Sequence, residues 1–395
     1  MSTPLPKSSL ILTRYLYIKE EVVAALLLAL LDKREDCALF WAYELYYSGF
    51  QNETFAFLWS IYYDFYATLN PTFEQFFLST HKEWIKTNDP CAFGRIVINL
   101  CIRPFTTDCF MLRNVVEQFV VSTSSSDSSS LSNLKEDNDN SISHKIADWL
   151  AEHNYECLAQ FILVECNVGT DLLAIVEESC SYFSWNGLGI TKSKILTRFK
   201  KMSTHCPRES RKIVLAIIMQ FYAMQSSCVK PKNIYLTMEP ADCEKYKTLM
   251  DLSPSLSPSR KILSRACAFN INVSEHLGLF GFVRDAATIN CYRVNWLYYA
   301  SNSPYWLAAI TKIGGGIQDN SLHKITFADF IKEENFYEQY WLDPDEQPLE
   351  VQQKSIQEIS AVSVREFYLK HKKHNIVPIC DEYLDDFAPF DKYVF

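Results

Sequence analysis

The sequence predicts an all-α protein: a multi-helix bundle or short α-solenoid of two packed helical units, with a smaller C-terminal helical region. Three observations point there. Glycine supplies only 10 of 395 residues, about a third of the usual ~7% frequency, which disfavours folds built on many tight turns or phosphate-cradling loops. Hydrophobic residues make up 48% of the chain and aromatics 14%, enough to fill more than one small core. The stretch Glu35 to Gly49, EDCALFWAYELYYSG, is apolar on nearly every side when wound as a helix. A helix without a polar face has to be surrounded by other helices.

Taken in order, Lys19 to Leu31 is a first helix. Its apolar run VVAALLLALL is about half the ~20 residues that a bilayer span needs, so it reads as a buried core helix. The apolar run nearer the N-terminus is too short for a signal peptide. Asp32 and Glu35 stand at capping-box spacing before the second helix, and Gly49 sits where a left-handed C-terminal cap is wanted. Asn52 is placed to cap a third helix, with Phe55, Trp59, Tyr62, Tyr63 and Tyr66 among its core residues. Asn70 and Asp89 each precede a proline, a pattern that starts helices four and five. A sixth helix runs over 107–121, and residues 1–121 form an aromatic-rich N-terminal unit of antiparallel neighbours.

Residues 122–141, STSSSDSSSLSNLKEDNDNS, bury too little apolar surface to offset the entropy of ordering them. They read as a disordered Ser-rich loop, a surface insertion before a phosphorylated switch. A second helical unit, 142–250, follows, with helical patterns at 142–152, 155–166, 170–183, 191–202 and 207–225. A Pro/Ser joint at 251–259 excludes helix. The C-terminal helical region, 260–395, has a helix stop at Gly314 to Gly316 and a last helix near 349–371. It also carries an acidic edge, with seven acids and no bases from Glu333 to Glu350, and an aromatic, acidic tail.

Chemistry-bearing constellations are sparse. The 13 cysteines are scattered singly with no CxxC spacing, which reads as reduced thiols without disulfides in a reducing compartment. His205 beside Cys206, and His371 three residues before His374, are the nearest approaches to metal-ligand spacing, and neither makes a set. The second pair reads as a solvated basic helix end. No metal, cofactor or catalytic residue is assigned. Glu44 is a carboxylate on an otherwise apolar helix, so it must be paired, hydrogen-bonded or neutralised. A structural role with tyrosines as donors outranks acid–base catalysis.

One stretch reverses the charge of this acidic protein. From Lys192 to Lys212 stand Lys192, Lys194, Arg198, Lys200, Lys201, Arg208, Arg211 and Lys212, against the single acid Glu209. Lys194, Arg198 and Lys201 share one side of a helix, leaving Ile195, Leu196 and Phe199 for the core. Such a face suits phosphates or an acidic partner. The competing reading is a solvated face balanced by the acids at 333–350. A net charge of −9 and pI near 5.5 argue against wholesale nucleic-acid coating. The partners expected are other proteins, with nucleic acid second.

The segments FWAYELYYSGF and FLWSIYYDFYATLNP in the first hundred residues, and FYEQYWLDPDEQPLEVQQKSI between about 330 and 360, resemble a helical protein family of the nucleocytoplasmic large DNA viruses, the giant viruses. The resemblance implies a viral product in the host-cell cytoplasm, in the viral factory or the virion, with viral partners, and it offers no activity or catalytic residues to carry over. The aromatic helix pair is also similar to the helical collar of clamp-loader proteins, although the chain has no ATP-binding motif. The expectation is a non-enzymatic helical scaffold in a viral replication, transcription or particle-assembly complex. The alternatives are a nucleic-acid-associated accessory factor using the basic helix, and an enzyme of unrecognised type.

Overall fold

The computed structural model describes residues 10–124, 139–168, 171–226, 234–247, 295–319, 324–340 and 364–385. The Pro/Ser joint, residues 125–138 of the Ser-rich loop, the C-terminal half of the acidic edge and the aromatic tail lie outside the described residues, while both ends expected to belong to that loop, 122–124 and 139–141, are helical. Those described are overwhelmingly helical, as an all-α bundle requires.

Helices α1 (Lys19–Leu31) and α2 (Glu35–Tyr47) form an antiparallel hairpin. Of α1, every residue but Glu20 is buried, because α2 and α5 (Pro90–Cys101) pack around it. α2 ends as its sequence dictates. Gly49 takes φ +98°, its N–H bonds to Tyr46 O, and the next N–H, from Phe50, bonds to Leu45 O. This double bond is the Schellman closure, and only glycine enters that backbone region cheaply. A β-carbon on Gly49 would also lie 2.5 Å from Cβ of Pro304.

The start signals fare less uniformly. Asp89 caps α5 through the Cys91 N–H, as expected. Asp32, Asn52 and Asn70 do not cap. Helix α3 (Gln51–Ile61) and helix α4 (Phe73–Thr87) both begin without a side-chain cap. Asn70 instead donates to the carbonyls of Tyr66 and Pro104. Asp32 accepts from Lys370 Nζ and His371 Nε2 at 3.0 and 3.1 Å. His371 is therefore a buried anchor, not part of a solvated helix end. Burial alone would raise the Asp32 pKa, but the hydrogen bonds and charges of His371 and Lys370 outweigh it and hold it at about 2.

After α3 the chain widens into a π-turn, Tyr62–Tyr66, which turns Asp64 into the core. Trp59 stacks flat on Phe77 with centroids 3.7 Å apart. Helix α6 (Asp108–Ser124) covers this turn. The second series is α7 (Asp139–Ala151), α8 (Tyr155–Gln160), α9 (Asp171–Trp185), α10 (Lys192–His205) and α11 (Ser210–Ser226). α9 lies among α7, α10 and α11, and α11 touches α6 and the 62–66 turn. One hydrophobic cluster runs from Leu10 through Val214 and Trp306 to Phe367.

A piece without regular secondary structure at 234–239 leads to α12 (Pro240–Lys247). Further on come α13 (Trp296–Ala300) and α14 (Pro304–Ile313), which Gly314 stops at φ +86°. The glycines that follow do more than turn the chain. Gly315–Asp319 is a strand, β1, paired antiparallel with β2, Lys324–Phe327. Gly315 has no room for a side chain, since a β-carbon would lie 2.7 Å from Phe327 and Ile310. The C-terminal region is thus not helix alone. Helix α15 (Phe330–Tyr340) holds the described part of the acidic edge, and α16 (Val364–His371) is the described part of the last helix.

The residues after α16 close on α6. Asp108, fully buried at the first turn of α6, accepts the N–H groups of Ile376 and Val377 at 3.1 Å. Asn375 and Thr107 bond each other twice beside it. Burial pushes the Asp108 pKa up to about 7, against the lowering effect of those amides.

Two predictions follow from this packing. Gly49→Ala should destabilise the protein by about 1–3 kcal/mol, read as a lower urea midpoint with unchanged slope. Asp108 binds its proton more tightly folded than unfolded, where its pKa is about 3.9. Its stabilising contribution is therefore complete below about pH 4 and lost as pH rises to about 7. Urea titrations from pH 4 to 8 should show wild type losing stability relative to Asp108→Asn across that window, and parallel curves would refute the assignment.

Candidate functional site

The charge-reversed stretch folds into α10, a 3-10 turn at Pro207–Glu209 and the start of α11. Phe199 is buried and Ile195 and Leu196 are half-buried against the core, as their spacing predicts. The cations do not form one free face. Arg198 lies across the start of α4, with Nε 2.7 Å from Oε2 and Nη2 3.1 Å from Oε1 of Glu74. Its remaining nitrogen donates to Gln220 at 3.0 Å. Lys212 reaches Asp64 at 3.5 Å and Glu209 at 3.0 Å. Arg113 of α6 binds the same Asp64 at 2.9 Å. Arg211 donates to the carbonyls of Ile162 and Cys166, closing the π-turn that ends α8. Lys192 pairs at the surface with Glu177.

The charge reversal thus has a structural cause that differs from the acidic edge at 333–350. Asp64 and Glu74 are buried carboxylates of the N-terminal series, and they need cations from the second series. Glu44 obeys the same logic. It is fully buried, but its donors are the Arg14 guanidinium and the Tyr15 amide, both at 2.8 Å, not tyrosine hydroxyls.

Lys194 and Lys201 remain at the surface, and they flank a cleft of about 460 Å³ between the beginning of α4 and one flank of α10. Thr72, Gln75, Ser193 and Thr197 complete its polar wall, with the Arg198–Glu74 pair beneath. Lys201 donates to Gln75 at 2.7 Å. The α4 start borders the cleft through Pro71, Thr72, Glu74 and Gln75, and α10 lines it along one flank, from Ser193 to Met202. Lys200 and Arg208, also exposed, are outside its lining. The cleft can hold an anionic group by the charge of Lys194 and Lys201, with Arg198 kept in place by Glu74.

Sequence reasoning missed the α4 side of this site. The signal was available in Glu74 and Asp64, two acids inside aromatic runs that demand partners as Glu44 does. It also missed His81. His81 Nδ1 lies 3.1 Å from Trp59 Nε1 and 3.3 Å from His205 Nε2. Burial first, and His205 second, press the His81 pKa down to about 4. His205 therefore packs with His81 and Trp59, and no group of three or more potential His, Cys, Asp or Glu metal ligands forms among the described residues. No helix among them is long and apolar enough to cross a membrane. Comparison with family models, with curated proteins and with solved structures finds no match.

The two kinds of cation separate by stability. Arg198→Met strands Glu74 in the core and should cost about 3 kcal/mol or more. Lys194→Gln and Lys201→Gln should each stay within about 0.5 kcal/mol of wild type. Thermal and urea unfolding of the three variants checks this directly.

Proposed function

We propose that this protein is a non-enzymatic helical scaffold whose cleft between α4 and α10 receives an acidic segment of a partner protein. The observation that supports it is the placement of the surface Lys194 and Lys201 on one cleft in a protein of net charge −9. An acidic chain segment gains there from the charge of the two ammonium groups. A viral replication, transcription or particle-assembly complex, in the host-cell cytoplasm or the virion, is the setting implied by the resemblance of the aromatic segments to giant-virus proteins.

Nucleic acid is the second reading, favoured by one observation. Trp185, at the end of α9, is 91% exposed, and an exposed ring beside a basic helix is a stacking platform for a single strand.

The test uses fluorescence anisotropy with a labelled Glu/Asp-rich peptide and, separately, a labelled single-stranded DNA. The peptide should bind wild type, and the Lys194→Gln/Lys201→Gln double variant should bind it at least about tenfold more weakly, a loss of about 1.4 kcal/mol. Tighter DNA binding, weakened by Trp185→Ala and with a salt slope that falls by about 1.4 in the double variant, would transfer the site to nucleic acid. A wild-type protein that binds neither probe at low salt ends the cleft reading.

A further inference from the structure

Residues 234–247 lie across α5 and the N-terminal hairpin, held mainly by side chains of other elements. Asn99 of α5 accepts the Leu236 N–H at 3.0 Å and donates to the Leu236 carbonyl at 2.9 Å. Arg103 reaches the Ile234 carbonyl at 3.2 Å, and Arg14 binds the carbonyls of Tyr246 and Lys247 at 2.6 and 3.1 Å. Met238 seats on Gly94, where a β-carbon would stand 2.2 Å from its sulfur.

At the centre of this attachment two thiols meet. Cys91, the second residue of α5, and Cys243, on α12, bring their Sγ atoms to 2.7 Å across 152 residues of sequence. Both are buried, and the Tyr43 hydroxyl lies 3.3 Å from the Cys243 sulfur. A disulfide bond is ~2.05 Å long, so the pair lacks only a small approach and the loss of two hydrogens.

We propose that Cys91 and Cys243 are a redox-active pair that closes into a disulfide and locks α12 onto the start of α5. The oxidant class is a hydroperoxide. One thiolate attacks the terminal peroxide oxygen, the O–O bond breaks, and the alcohol leaves with a proton, giving a sulfenic acid. The second thiol attacks that sulfur, the S–S bond forms, and the S–O bond breaks to release water. Two thiols and one hydroperoxide thus become one disulfide, one alcohol and one water, with two electrons passing from sulfur to the peroxide. Burial, reinforced by the hydrogen bond to Cys243, pushes the Cys91 thiol up to about 12. Little thiolate exists at neutral pH, so the lock closes slowly and responds to sustained oxidation.

The test treats the full reduced chain with tert-butyl hydroperoxide, alkylates the remaining thiols, and maps the non-reduced digest by mass spectrometry. A Cys91–Cys243 linked peptide, lighter by two hydrogens and reopened by dithiothreitol, is expected. The oxidised protein should also unfold at a higher urea concentration than the reduced one, and Cys243→Ser should abolish that difference. Both cysteines recovered alkylated after the exposed Cys157 and Cys380 have been oxidised would overturn the pair. A linked peptide with no gain in midpoint would overturn the lock. Because mapping is done on wild type, the proposal stays testable even if the serine variant folds poorly.

Discussion

Four buried carboxylates and the donors that reach them hold this structure in register. Glu44, Asp64, Glu74 and Asp108 sit among aromatic and aliphatic side chains, where an unpaired charge costs several kcal/mol. Hydrophobic packing is non-directional and tolerates a small slide of one helix along another. A guanidinium bound through two nitrogens to one carboxylate does not, because both distances and the plane are fixed at once. Arg198 on Glu74 therefore sets where α10 lies on α4, and Arg113 with Lys212 sets how α6 and α11 meet the turn at Tyr62–Tyr66. The aromatic stacking around Trp59, Phe77 and Phe55 fills the space that these pairs define.

What could be read in the sequence was what is decided locally. The bounds of α1 and α2, the cap at Asp89 and the left-handed closure at Gly49 each depend on residues within one or two turns. Two of the misread starts share one cause: Asp32 is claimed by Lys370 and His371, and Asn70 by the carbonyl of Pro104. Asn52 differs, since α3 already begins at Gln51 and Asn52 lies exposed within it. A side chain with a distant acceptor or donor of better geometry leaves its own helix start uncapped. The hairpin after Gly314 was hidden for a different reason: short glycine-rich strands carry no hydrophobic period to recognise.

The candidate site was half legible. Eight cations in one stretch were visible, and so was the shared helix side of Lys194, Arg198 and Lys201. Which of them serve the fold was not, because Glu74 stands 124 residues from Arg198 and Asp64 lies in a separate helical series. Counting buried acids in the aromatic helices, and asking where their cations come from, would have separated Arg198 and Lys212 from the lysines left at the cleft. The wall formed by Thr72 and Gln75 exists only once α4 and α10 are side by side, and no linear pattern encodes it.

The clasp between Asp108 and the amides of Ile376 and Val377 has a consequence for how the chain is born. Asp108 emerges from the ribosome 268 residues ahead of Ile376, which at 5–20 residues per second is an interval of about 15–50 s. Throughout that interval the carboxylate that opens α6 lacks the amides of Ile376 and Val377, and Asp32 waits longer still for His371. The helices of the N-terminal series can collapse on their aromatic residues, but this seal is delivered by residues made 268 positions later. Nascent chains stalled before residue 376 would hold an N-terminal bundle that is compact and unsealed, and the order of synthesis runs opposite to the order of closure.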